Sequence, residues 1–139
     1  MGKVYGQMSK LTIHPTGTCF EDVTLEFIKM IGEDIKRMDS DFYMVHSICI
    51  MPDGKEYAHA WIEEGDLTWF PGLFNGEKGF AQCLTTEFYE TYNVKEFTRY
   101  NFHDVTRVAH EHDDRPPPWE LKYLKLCKDY KKKEQPIEK

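Results

Sequence analysis

The sequence predicts an α+β domain in which one helix precedes an antiparallel meander and further helices follow. Three observations lead there. Phe20, Val23, Phe27 and Ile31 recur with helical spacing. Two β-prone segments, Phe42 to Met51 and Glu56 to Glu63, flank the turn Pro52-Asp53-Gly54-Lys55. No Gly-rich phosphate loop is present, so a doubly wound nucleotide-binding fold has no support.

The first helix should begin at Cys19 and run to about Ile31. Thr18-Cys19-Phe20-Glu21 has the form of a capping box, with the Thr18 hydroxyl accepting a backbone N–H and Glu21 reaching back. Gly32 is a natural stop. In the hairpin, Pro52 sets one dihedral and Asp53-Gly54 tolerates positive φ. With Asp53 and Gly54 as central turn residues, Ile48 faces His59 and His46 faces Trp61. His46, Ile48, Ile50, Tyr57, His59, Trp61 and Glu63 would then share one face.

Glu64-Gly65-Asp66 reads as a second turn and Leu67 to Pro71 as a third strand. Gly72 to Gly79 reads as a loop and Phe80 to Leu84 as a short strand. A helix over Thr86 to Asn93 precedes an alternating strand, Val94 to Tyr100. Asn101 is a good N-cap, with Asp104 in the third-residue place, for a helix to about His112. Asp113 to Pro118 is a rigid break. A final helix from Trp119 to about Tyr130 would put Leu121, Leu124 and Cys127 on its apolar side. One domain over 1–130 with a Lys-rich tail over 131–139 accounts for the chain.

Composition narrows the function. The chain has 139 residues, 40% of them hydrophobic, enough for a core without staples. A net charge of −6 argues against nucleic-acid binding, which needs a basic field. The four cysteines, Cys19, Cys49, Cys83 and Cys127, form no CxxC or zinc-finger spacing. The N-terminus is polar and no apolar run approaches a membrane span, so a cytoplasmic chain with reduced thiols and no membrane partner is expected. His110-x-His112-Asp113 has a metal-like look, but no usual zinc spacing is present. No metal and no cofactor are expected.

The residues that bear chemistry are Cys19 and His59. A helix N-terminus carries partial positive charge and favours thiolate over thiol. His59 lies in Tyr57-Ala58-His59-Ala60-Trp61-Ile62, which reads as a strand. A Cys opening a helix, followed by a strand His, is the arrangement thiol hydrolases use. Two facts pull the other way. Cys19 with Val23 and Phe27 is also an ordinary core stripe, and Glu21 and Asp22 compete for the helix dipole. His46, Trp61 and Phe70 are the candidate pocket residues around His59. The cluster of Tyr57, Trp61, Trp69, Phe70, Phe74 and Phe80 reads either as a groove wall or as the core of a small sheet.

Cys19-Phe20-Glu21-Asp22, Val45-His46, the Pro52-Asp53-Gly54 turn and His59-Ala60-Trp61-Ile62-Glu63 together resemble small bacterial and phage proteins of the papain-like and transglutaminase-like thiol-hydrolase superfamily. Phe97-Thr98-Arg99-Tyr100 and Pro118-Trp119-Glu120 are similar to the ends of such chains. The resemblance spans about Thr18 to Glu120. It implies a papain-like fold with Cys19 as nucleophile and His59 as general base. The substrate would be a peptide, protein or small amide. It also implies an Asp on the strand after His59, where this chain has Leu67-Thr68-Trp69-Phe70-Pro71 with Phe70 beside Trp61. That departure motivates an alternative on the same fold: a weakened or inactive acidic binding or inhibitor protein with a protein partner.

Overall fold

A computed structural model describes residues 19–74, 77–113 and 117–126. The fold is α+β, with one long helix laid on a five-stranded antiparallel sheet. Helix α1 spans Cys19–Glu33 and a 3-10 turn follows over Ile35–Asp39. The strands are β1 (Phe42–Ile50), β2 (Glu56–Glu64), β3 (Leu67–Phe74), β4 (Glu77–Leu84) and β5 (Val94–Tyr100). Helix α2 (Thr85–Thr91) joins β4 to β5, and α3 (Phe102–Glu111) follows. A last helical segment covers 121–126. The spatial order is β4-β3-β2-β1-β5.

Two apolar layers sandwich the sheet. On one side α1 buries Cys19, Phe20, Val23, Phe27, Met30 and Ile31 against Met44, Ile48, Ala58, Ala60 and Ile62. Small side chains at Ala58 and Ala60 let the helix sit close to β2. On the other side Val45, Cys49, Tyr57, Trp61, Phe70 and Ala81 pack with Phe88 of α2. Period-two alternation along β1 and β2 produces this division.

The hairpin register differs by one residue from the expected one. Ser47, not Ile48, pairs with His59, and His46 pairs with Ala60. The cause is the turn. Met51 and Lys55 are bonded across a three-residue loop of Pro52, Asp53 and Gly54, with Met51 N–H donating to Lys55 O at 2.8 Å. Gly54 takes φ +88°, its N–H donates to Met51 O at 2.8 Å, and the Asp53 carboxylate accepts from Lys55 N–H. A type I turn with a left-handed third residue is the usual three-residue hairpin. A one-residue slip exchanges faces. His46 and Ile48 therefore face α1, whereas Tyr57, His59, Trp61 and Glu63 face the other way.

Other boundaries moved for local reasons. The expected loop from Gly72 is instead the end of β3, which pairs with β4 as far as Phe74↔Glu77. Pro71 is tolerated in that strand because β2 pairs with β3 only over Ile62–Glu64 and has already departed. In the last segment Leu121 is exposed, while Trp119 and Tyr123 are buried, so the apolar side is not the expected one. Tyr123 also bonds Thr98 Oγ1 at 2.8 Å. Cys127 and the Lys-rich tail lie outside the described residues, as does Thr18 of the expected capping box. The capping box at Asn101 and Asp104 is present in full.

Candidate active site

Helix α1 runs antiparallel to β1. The Phe20 ring meets His46 at 4.7 Å between centroids, Thr24 Oγ1 lies 3.1 Å from Met44 Sδ, and Phe27 stacks on Phe42 at 4.9 Å. Cys19, one residue before Phe20, therefore lies at the level of the His46–Ala60 and Ser47–His59 rows of the sheet. Along the strand direction Cys19 and His59 share a level. In side-chain direction they do not coincide. Cys19 is buried in the α1 layer with Ala58 and Ala60, while His59 belongs to the Tyr57–Trp61 face.

β3 leaves β2 after the Ile62↔Trp69 pair, so no β3 partner covers the Glu56–Trp61 edge of β2. Burial first, then Cys49, Tyr92 and Cys19, push the Tyr57 phenol up.

His59 is enclosed, at 1% exposure, and neither ring nitrogen has a hydrogen-bond partner. Tyr57 and Trp61 flank it at 6.0 Å between ring centroids. Desolvation lowers its pKa to about 3, so the imidazole is neutral near pH 7. A neutral imidazole is the form able to accept a proton, and the same desolvation makes this one a weak base. His46 is equally buried and lacks bonds at both nitrogens, with its pKa also lowered to about 3 by burial. It sits among Phe20, Tyr100, Trp119 and Tyr123 at 4.7–6.0 Å. The expected pocket of His46, Trp61 and Phe70 is thus divided, with His46 on the α1 face and the other two on the far face.

Phe70 is 1% exposed and packs on Phe88 at 5.0 Å and Tyr92 at 5.9 Å. It holds the layer that contains Trp61, as expected from the hairpin, and offers no hydrogen bond to an imidazole. The expected aromatic cluster splits as well, since Trp69 and Phe80 lie in the α1 layer.

The polar group that the sequence puts on the His59 face, near enough in the chain to be weighed as a substitute for the missing Asp, is Glu63. Glu63 is a carboxylate at 3% exposure. It accepts from Trp61 Nε1 at 2.9 Å, from Arg99 Nε at 2.7 Å and from the Tyr89 hydroxyl. Its place two residues after Trp61 on an alternating strand was the available signal. Arg99 and Tyr89 are remote in sequence and gave none. Cys49 and Cys83 are poor nucleophiles, because burial pushes both thiols up to about 11.

Among the described residues no group of three or more His, Cys, Asp or Glu could hold a metal ion, and no helix is long and apolar enough to cross a membrane. No family model, curated protein or solved structure matches the chain.

Proposed function

We propose that the chain is a thiol hydrolase or acyl-transferase of papain-like, transglutaminase-like type, acting on an amide or peptide carbonyl. What supports the reading is a buried imidazole with both nitrogens unspent, level with a cysteine that opens a helix. Buried polar atoms are nearly always bonded, and an orphaned one at a candidate site is a functional signal.

In this reading the Cys19 sulfur attacks the carbonyl carbon and its proton goes to His59, a transfer that requires the imidazole to turn from its resting face of β2. Backbone N–H groups in the first turn of α1, the Cys19 N–H among them, donate to the oxyanion. His59 returns the proton to the leaving amine, leaving a thioester. Water, or an acceptor nucleophile, then displaces Cys19 and the thiol is restored.

The test is acylation by p-nitrophenyl acetate, read by peptide mass spectrometry. One acetyl group should accumulate on Cys19 and disappear in Cys19→Ala. In His59→Ala it should form roughly a hundredfold more slowly, as expected for loss of a general base. Acetylation scattered over lysines, with Cys19 unmodified, would overturn the reading. Phe70 favours a second one, a binding or inhibitor protein on the same framework with its chemistry lost. There, a stoichiometric protein partner would be retained by Cys19→Ala.

A further inference from the structure

From the contacts around Trp61, we infer that Glu63 is a positioning residue for His59, acting through the Trp61 indole. The inference rests on the proposed site. Neither ring nitrogen of His59 is bonded, so its orientation is set by packing against Tyr57 and Trp61. A site imidazole must start from one orientation to take a proton from a fixed sulfur.

Trp61 is the more firmly held of the two neighbours. It is 0% exposed and its indole N–H is tied to Glu63 at 2.9 Å. Its ring meets Phe88 at 4.6 Å and Tyr89 at 5.7 Å, both edge-on. Glu63 is itself fixed from two further sides, by Arg99 Nε at 2.7 Å and by the Tyr89 hydroxyl. Arg99 in turn lies over the Phe97 ring at 4.5 Å.

Glu63 is the only buried carboxylate among the described residues, and every donor it accepts from is fixed by packing or a second bond. Charge-assisted bonds of this kind are the strong ones, and their geometry is narrow. The chain from Arg99 through Glu63 to Trp61 therefore delivers a rigid wall to the His59 ring. Replacing Glu63 loosens that wall without touching Cys19 or His59.

The experiment compares the full chain with Glu63→Gln and Tyr89→Phe. Two readouts are taken on folded protein: the His59 tautomer by imidazole ¹H–¹⁵N NMR, and the pH profile of Cys19 alkylation by iodoacetamide. The account expects a single His59 tautomer in the parent. In Glu63→Gln it expects mixed or exchange-broadened tautomers and alkylation slowed roughly fivefold, with a smaller change in Tyr89→Phe. A merely structural Glu63 would lower the melting temperature and leave both readouts unchanged, which overturns the inference. If Glu63→Gln does not fold, Tyr89→Phe, which removes one donor, decides on the same criteria. If parent Cys19 alkylation ignores His59→Ala, the proposed chemistry fails, while the tautomer readout still judges the positioning role.

Discussion

Acidification from pH 7 to about 4.5 is expected to unfold the protein, because two neutral histidines are sealed into opposite layers of the sheet. His46 and His59 are buried without hydrogen bonds, and desolvation lowers each pKa from 6.5 to about 3. The unfolded chain binds protons at both as pH falls below about 6.5, whereas the folded chain does not until about 3. The stability associated with the neutral imidazoles is thus fully present above about 6.5 and is lost on acidification. Each histidine contributes about 1.4 kcal/mol per pH unit. Over two units the pair removes about 5 kcal/mol, comparable with the whole stability of a small domain. Urea denaturation at pH 7, 5.5 and 4.5 measures the slope. His46→Leu, apolar within its ring of Phe20, Tyr100, Trp119 and Tyr123, should roughly halve it. Stability that is flat between pH 7 and 5 would mean the histidines are solvated.

Phe70→Asp, the change that would supply the carboxylate of the proposed papain-like pattern, is expected to cost more than about 5 kcal/mol and to leave little folded protein. Losing a buried aromatic costs about 3–5 kcal/mol. A carboxylate left there adds an uncompensated buried charge, worth several kcal/mol more. Among the described residues nothing cationic faces it: the guanidinium of Arg99 is engaged by Glu63, and Phe70 packs on Phe88 and Tyr92. Phe70→Leu keeps the site apolar and should cost about 1–2 kcal/mol. Thermal unfolding followed by circular dichroism separates the two. A stable Phe70→Asp would show that this side of β3 is open to water.

Local signals in the chain were legible and long-range ones were not. The α1 stripe, the Asn101 capping box and the β5 alternation each depend on neighbours within one or two turns, and each was found. The β1–β2 hairpin was also found, but its register was misassigned. The turn has three residues rather than two, a choice that hinges on Gly54 adopting φ +88°. That one residue moved His46 to the face opposite His59. Strand order was invisible, since β5 returns to pair with β1 across the whole intervening meander. The Glu63 partners Tyr89 and Arg99 were missed for the same reason, being 26 and 36 residues away. Cys19 and His59 stand out from residue type, helix position and the family resemblance. Their common level in the sheet follows from the antiparallel run of α1 along β1.

The most direct measurement is the alkylation rate of each cysteine in native protein from about pH 5 to 9, compared with His59→Ala. The account predicts that Cys19 outruns Cys49 and Cys83, whose thiols are pushed up to about 11, by roughly tenfold or more at pH 7. It also predicts that His59→Ala removes that advantage. A Cys19 that reacts no faster than the other two, or just as fast without the imidazole, would contradict it.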